Sequence, residues 1–124
     1  MPNEEWIKQL FQSIDAMDAK AFAGFITEQG QFRMGSQPAV RGSEAIENYV
    51  AGFFGTLKSI RHENIRSWSA DDGKILFIAG DVIYTLPNDA EVPIPFLNHM
   101  TMVGDKVQDY LVYTDPSPIA AAAG

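Results

Sequence analysis

The hydrophobic pattern changes its period near Ser59, and this change most limits the folds open to the chain. Before Ser59, apolar residues recur at the spacing of an α-helix in three segments. After it come four segments typical of β-strands, separated by the turn-forming sequences ADDG, PNDA and GD. The predicted strands are residues 59–70, 74–86, 91–103 and 106–115. Three helices followed by a meander of four strands predict an α+β fold.

The first half of the chain contains the signals for helix ends. Asn3 and Ser43 are predicted N-caps, each at the start of an apolar periodic segment, and Asp18 begins a second short helix. Gly30 is the predicted end of the second helix. The predicted elements are a helix at 3–17, a helix at 18–30, a short strand at 31–34, a loop at 35–42 and a helix at 43–57.

These elements predict one domain, residues 1–124, with a flexible tail from about residue 116. We expect a cone-shaped, strongly curved antiparallel sheet that wraps around the three N-terminal helices. A cone of this size encloses either packed side chains or one small ligand.

Composition and charge exclude several classes of partner. The chain has 124 residues and a net charge of −7, and its nine Lys and Arg residues are scattered. We therefore expect no binding to nucleic acid or to an anionic membrane. The absence of cysteine excludes disulfides and thiolate metal sites. The start MPNEEWIKQL lacks the pattern of a signal peptide and no window is apolar enough to span a membrane, so we expect a cytoplasmic protein.

The stretch PIPFLNHMTM, residues 93–102, contains the most informative polar residue. With a period of two, one face of this strand is apolar except for Asn98. We expect this face to line a cavity in which Asn98 is one of a few polar groups. His99 lies on the opposite face, toward solvent or a partner chain. The apolar residues of the Asn98 face are Ile94, Phe96, Met100 and Met102.

Two stretches together resemble a known family. They are FRMGSQPAVRGSEAIENYV, after two short helices, and GDKVQDYLVYTDPSPI at the end of the sheet. In this order they resemble the nuclear transport factor 2-like superfamily, and within it the polyketide-cyclase-like relatives of ketosteroid isomerase and limonene epoxide hydrolase. The resemblance implies a cone-shaped sheet with an apolar pocket between helices and sheet. It also implies a homodimer that pairs through the outer face of the sheet.

The catalytic residues of ketosteroid isomerase are mostly absent at the matching positions. The resemblance places Arg33 where that enzyme has its general base. The two oxyanion donors correspond to Leu10 and Asn98, and an Asn amide also donates. With arginine in place of the base, we expect no isomerase chemistry of that kind.

Of the catalytic residues of limonene epoxide hydrolase, one has a counterpart in this chain. The resemblance places Asp81 at the position of a catalytic aspartate. We therefore do not expect an epoxide hydrolase. The residues at its other catalytic positions are Phe32, Met34, Ala79 and Val112.

Asp81 is the candidate general base or acid. In AGDVIYTL it lies in a strand, and a carboxylate on an apolar sheet face is suited to acid–base chemistry. The alternative is that Asp81, after Gly80, lies at a bulge and binds backbone or solvent. His62 is the second candidate, as a base at the cavity rim or as a partly exposed polar residue. Arg33 points either into the cavity, where it would pair with Asp81, or outward.

The remaining predicted site residues form the wall of the pocket. Two function classes stay open: an enzyme acting by acid–base catalysis on a small cyclic apolar ligand, with Asn98 and Tyr110 as hydrogen-bond donors, and a non-catalytic binding protein. A dimerisation module with a filled cavity is a third. The sequence predicts no metal and no cofactor. The predicted pocket residues are Arg33, Met34, Phe53, Trp68, Phe96, Asn98, Met100 and Tyr110.

Overall fold

The computed structural model describes residues 2–123, which form four helices and six strands. The helices are α1 (Glu4–Asp15), α2 (Ala19–Ala23), α3 (Ser43–Phe54) and α4 (Ser117–Ala123). The strands are β1 (Ile26–Met34), β2 (Val40–Arg41), β3 (Ser59–Ala70), β4 (Ile75–Thr85), β5 (Glu91–Val103) and β6 (Lys106–Thr114). All six belong to one sheet with the order β2-β1-β6-β5-β4-β3. The predicted α+β class is confirmed.

The N-cap predicted at Asn3 is present, and Asp18, the predicted start of the second helix, is the N-cap of that helix. The Asn3 side chain accepts a hydrogen bond from the backbone N–H of Trp6 at 2.9 Å, and Asp18 caps α2 in the same way. Each bond satisfies a backbone donor that the first helical turn leaves unpaired. At α3 the cap position is Gly42 rather than Ser43. Gly42 has a φ of 94°, a conformation that favours glycine and lets the chain turn from β2 into α3.

The second helix is shorter than predicted, because β1 occupies much of that segment. β1 begins at Ile26, and Gly30 lies inside it rather than at a helix end. The pairing of β1 with β6 shifts its register between Ile26 and Gln31. A Cβ on Gly30 would lie 2.9 Å from the backbone oxygen of Gln108, so this close approach requires glycine. Pairing with a distant strand therefore overrides the local helical pattern.

The sheet is mixed, whereas the sequence analysis predicted an antiparallel one. β1 runs parallel to β6, and all other neighbouring strands are antiparallel. Parallel neighbours need a long connection, which here includes α3 and the strands β3 to β5. The edges of the sheet are β2 and β3.

One side of the sheet packs against α1, α2 and α3, and the core lies there. Burial alternates along β5, as the period of two predicts. Register shifts in β3 and β5 mark irregularities of the kind that bend strands and increase twist. We call the helix-covered side of the sheet the concave face and the other side the convex face. The helices contribute to the core the buried residues Leu10, Phe22 and Ile46.

The helix α4 lies where the sequence analysis expected a flexible tail. Its sequence SPIAAAA is rich in alanine, the residue with the highest helix propensity. Ile119 packs against the core, and the Nδ2 of Asn88 donates to the carbonyl of Ala122 at 3.0 Å. These contacts connect α4 to the rest of the domain.

Candidate functional site

A cavity of about 60 Å³ lies between the three helices and the concave face. Its wall is mainly aromatic, and tyrosines from α3, β4 and β6 complete it. In the described part of the chain, no Lys, Arg, Asp or Glu side chain lines it. Such a wall suits an uncharged ligand, because a buried charge without a partner is costly. The phenylalanines that line the cavity are Phe11, Phe22, Phe32, Phe53, Phe54 and Phe96.

Asn98 and Tyr110 form a hydrogen bond in this wall. Both residues are buried, and the Nδ2 of Asn98 donates to the hydroxyl oxygen of Tyr110 at 3.2 Å. Because the hydroxyl accepts in this bond, its own hydrogen remains available for another oxygen. The amide on the apolar face of β5 is therefore half of a polar pair that spans two neighbouring strands.

Burial favours the neutral form of two tyrosines of the cavity, Tyr84 and Tyr110. It raises the pKa of Tyr84 from 10.0 to about 12, because the wall excludes the water that would stabilise a phenolate. Burial also raises the pKa of Tyr110, and the nearby Tyr84 adds to that shift. Both hydroxyls therefore carry their hydrogens at neutral pH and act as hydrogen-bond donors.

His62, near the start of β3, meets Asp15, the last residue of α1. The Nδ1 of His62 lies 2.5 Å from an Oδ of Asp15, and the backbone N–H of His62 donates to the other Oδ at 3.4 Å. The imidazole packs against Phe11 and Phe96, with ring centroids 4.6 and 5.5 Å away. The histidine side chain is 8% exposed and lines the cavity. Asp15 thus holds Nδ1 and fixes the orientation of the ring beside the cavity.

The structure brings six of the predicted site residues together around the cavity. Met100 is fully buried beside them and belongs to the core rather than to the wall. Asp81, Arg33 and Trp68 do not line the cavity. The six lining residues are Met34, Phe53, His62, Phe96, Asn98 and Tyr110.

The location of Asp81 corrects the predicted acid or base of the cavity. In β4 the residues that line the cavity are Val82 and Tyr84, so Asp81 points to the convex side by alternation. One Oδ of Asp81 accepts a hydrogen bond from the Nδ2 of Asn64 at 2.9 Å. Asn64 lies at the register shift of β3 and has a φ of 57°. The carboxylate therefore holds a bulge of the edge strand, close to the structural alternative considered for it.

Arg33 and Trp68 also belong to the convex face. The guanidinium of Arg33 stacks over the ring of Tyr113, 5.2 Å from its centroid. Trp68 is 51% exposed, with the guanidinium of Arg66 5.8 Å from its ring centroid. His99 stacks on Phe77 at 5.1 Å, on the face opposite Asn98, where the sequence analysis expected it. Arg33 therefore points outward, which is one of the two orientations considered for it, and within residues 2–123 it stacks on Tyr113 rather than pairing with Asp81.

The sequence analysis missed Asp15, Tyr49 and Tyr84. Asp15 lies 47 positions before His62, so no local spacing connects the two residues. A weaker signal was present: Asp15 ends a helix whose last turn contains no basic residue. A carboxylate is unfavourable at this negative end of the helix dipole. Such a residue needs a partner outside the helix, and His62 is that partner.

Residues 2–123 contain no group of three or more His, Cys, Asp or Glu side chains arranged to hold a metal ion. Within the same range, every helix is too short or too polar to cross a bilayer.

Residues 7–110 match the SnoaL-like domain family. The chain belongs to this family. The match confirms the resemblance to the nuclear transport factor 2-like superfamily and its polyketide-cyclase-like members. No curated protein sequence matches the chain.

Solved structures share the fold of this SnoaL-like protein over nearly its whole length. One is a hypothetical protein with a ketosteroid isomerase-like fold from Catenulispora acidiphila, in complex with trimethylamine. Its TM-score is 0.85 at 13% identity, with 99% of this chain and 95% of that chain covered. A candidate polyketide cyclase from Xanthomonas campestris has a TM-score of 0.84 at 12% identity, covering 97% and 95%. TerC, co-crystallised with polyporic acid, has a TM-score of 0.79 at 16% identity, covering 98% of both chains. These identities show a common fold, not a common chemistry.

Proposed function

We propose that this SnoaL-like protein binds a small, neutral, cyclic and mostly apolar molecule in the cavity. The hydrogen bond between Asn98 and Tyr110 inside an aromatic wall carries the proposal. A buried polar pair in an otherwise apolar pocket orients a ligand through one of its oxygen atoms. The hydroxyl hydrogen of Tyr110 is the group that donates to this oxygen.

The size of the cavity indicates that side chains move when a ring enters. An apolar cavity of roughly 150 Å³ is known to take a benzene molecule, and the volume here is about 60 Å³. Tyr49 lines the cavity and is 38% exposed, and Met34 and Phe53 are half-buried lining residues. These three lie between α3 and β1, where the wall is nearest to solvent. Methionine adapts to several ligand shapes, which suits this side of the cavity for opening.

Two structural neighbours hold small ligands, trimethylamine and polyporic acid. They support a small molecule as the class of partner for a pocket in this fold. The choice of a neutral cyclic ligand for this chain comes from its own wall, which is aromatic and free of charged side chains in the described range.

Binding of 2-naphthol, a planar ring compound with one oxygen, tests the proposal by isothermal titration calorimetry. We expect Tyr110→Phe to raise the Kd about threefold to tenfold, because one buried hydrogen bond is worth roughly 1 kcal/mol. Tyr113→Phe is the matched control on the convex face and leaves the Kd unchanged. Failure of the unmodified protein to bind 2-naphthol would contradict the proposal. So would equal effects of the two substitutions.

The variant Asn98→Leu tests whether the Asn98 amide takes part in ligand binding or only packs in the core. We expect it to weaken 2-naphthol binding. A more stable protein with unchanged binding would show that Asn98 serves packing alone.

The convex face supports a second part of the proposal, a homodimer formed through this face. Leu97 and Tyr113 are paired neighbours in β5 and β6, with exposures of 37% and 49%. Trp68 and Phe77 form the equivalent pair in β3 and β4, next to the stacked His99. An apolar patch across four strands is typical of an interface rather than of a bare surface.

A further inference from the structure

His99 lies at the centre of the convex face. Paired residues of neighbouring strands form rows across the sheet, and their side chains lie about 5 Å apart on the same face. One such row crosses β1, β6, β5, β4 and β3 with His99 in the middle. The imidazole is half-buried and stacks on Phe77 with a centroid distance of 5.1 Å. The residues of this row, in order, are Arg33, Leu111, His99, Phe77 and Trp68.

The two adjacent rows place mostly uncharged side chains around His99. On its own strand, the neighbours on this face are Leu97 and Thr101. The strands on either side add six residues, of which only Asp109 has a charged side chain. These residues are Ile75, Phe77 and Ala79 on β4, and Asp109, Leu111 and Tyr113 on β6.

The charges of these three rows lie away from the centre. The carboxylate of Asp109 accepts a hydrogen bond from the Nε2 of Gln31 on β1 at 2.8 Å. Arg33 and Arg66 lie two strands away from His99, one on each side, and each guanidinium stacks on an aromatic ring. With His99 neutral, the centre of the convex face therefore carries no charge.

The convex face is large enough to bind a second copy of the chain. Five strands about 4.8 Å apart and ten residues of about 3.3 Å each give roughly 800 Å². Each partner of a stable protein complex buries about this area. The strands β3, β4 and β5 have 12, 11 and 13 residues, so they are long enough. The chain has a net charge of −7, whereas the three rows contain two arginines and one aspartate, so the excess of negative charge lies outside them.

The symmetry of such a dimer gives His99 a special position. Two identical chains that pair through the same patch are related by a two-fold axis. The axis passes through the centre of the shared patch, because each half of the patch contacts the other half of its copy. The residue at the centre of the convex face therefore lies close to the same residue of the second copy.

We propose that His99 makes the association of two copies through the convex face dependent on pH. The inference rests on the proposed homodimer and adds its regulation. Histidine is the side chain whose charge changes between about pH 5 and 8. In the monomer the ring of His99 is half-buried, and water reaches its exposed side and stabilises the protonated form.

In the dimer, apolar side chains cover the ring and a second imidazole lies nearby. Loss of water and repulsion between two like charges both oppose protonation there. Two monomers therefore bind more protons than one dimer, and the Kd of the dimer rises as the pH falls.

Sedimentation equilibrium at pH 8.0 and pH 5.5 tests this proposal. We expect the Kd of the dimer to be at least about tenfold higher at pH 5.5, because two imidazoles take up protons when one dimer dissociates. A general charge effect has the opposite sign, since a lower pH reduces the net negative charge of the chain and weakens the repulsion between copies. Circular dichroism at both pH values verifies that the fold persists.

The chain has only two histidines, so each serves as the control for the other. His99→Gln should give the same Kd at both pH values, because glutamine remains uncharged. His62→Gln, on the concave side, should keep the rise in Kd at pH 5.5. The ratio of the two Kd values is compared for each variant, which removes any effect of the substitution on the affinity itself.

The outcomes distinguish this inference from the proposed homodimer. If the unmodified protein is a monomer at pH 8.0, the homodimer fails and the inference fails with it. If it is a dimer whose Kd is unchanged or lower at pH 5.5, the inference fails while the homodimer stands. A rise that persists in His99→Gln, or that disappears in His62→Gln, also overturns the inference.

Discussion

The two histidines of the chain occupy opposite faces of one sheet and have opposite surroundings. His62, on the concave side, contacts two phenylalanine rings and the carboxylate of Asp15 and lines the cavity. His99, on the convex side, stacks on Phe77 with an interplanar angle of 18°. Both rings rest on aromatic side chains. His62 additionally contacts a carboxylate and lines a cavity.

This comparison shows that an aromatic neighbour alone does not define the surroundings of a histidine. On the concave face, the packing of α1 on β3 adds a carboxylate partner to His62 and places the ring at the cavity. On the convex face, His99 lies beside exposed apolar side chains, the surface to which the proposed homodimer is assigned.

The largest expected effect on stability comes from truncating Phe96, which packs against His62. Its counterpart on the convex face is Phe77, which packs against His99. Phe96→Ala should lower the free energy of unfolding by about 3–5 kcal/mol, because Phe96 is buried among Phe11, His62 and the cavity wall. Phe77→Ala, on the convex face, should cost about 1 kcal/mol, because its ring is half-buried. Urea denaturation followed by circular dichroism gives both values. Equal losses of unfolding free energy in the two variants would contradict the stated difference between the two faces.

The next effect is a loss of stability in alkali that depends on Tyr84. Between pH 10 and about 12 the unfolded chain releases the phenolic proton while the folded protein retains it. The free energy of unfolding therefore falls as pH rises through this range, by roughly 3 kcal/mol for Tyr84, since each unit of pKa difference corresponds to roughly 1.4 kcal/mol. Below pH 10 this contribution is fully present.

Urea denaturation at a series of pH values measures this loss. Tyr84→Phe should reduce the alkaline slope, whereas Tyr113→Phe, an exposed residue of the convex face, should not. If the free energy of unfolding of Tyr84→Phe fell with pH as steeply as that of the unmodified protein, the buried Tyr84 hydroxyl would not be the cause of the loss.

The smallest effect on the fold is expected from Leu97→Glu on the convex face. Leu97 is 37% exposed, so the substitution should change the free energy of unfolding of the monomer by less than about 0.5 kcal/mol. In a homodimer through this face it brings charges of the same sign together, and the dimer should dissociate. Sedimentation equilibrium of both proteins measures the mass. A monomeric unmodified protein, or a variant that remains dimeric, would contradict the proposed interface.

Local sequence signals predicted much of the fold, and they failed where a distant strand decided the conformation. The N-cap at Asn3 and the start of a helix at Asp18 were predicted because capping acts within one helical turn. The alternation of β5 was found because its faces differ in burial. The early start of β1 at Ile26 was missed, because pairing with β6 produces it and that strand lies about 80 positions later.

The residues of the candidate site were likewise predicted only in part. Asn98 and Tyr110 were predicted, since each alternates into an apolar face, and both line the cavity. Asp81 was placed on the wrong face because its strand is apolar on both sides, so the pattern did not distinguish them. Arg33 and Trp68 were assigned to the wall but lie on the convex face, and Asp15 was missed entirely.

By itself the sequence determined the α+β class, an apolar sheet face interrupted by one amide, and the exclusion of thiolate chemistry. These follow from periodicity and composition, which act over a few residues or over the whole chain. The tertiary structure alone decided that Asp15 meets His62 and that Asp81 meets Asn64. The physical reason is that a carboxylate binds whichever donor the packing of helix on sheet brings within about 3 Å, and no local spacing in the sequence encodes that distance.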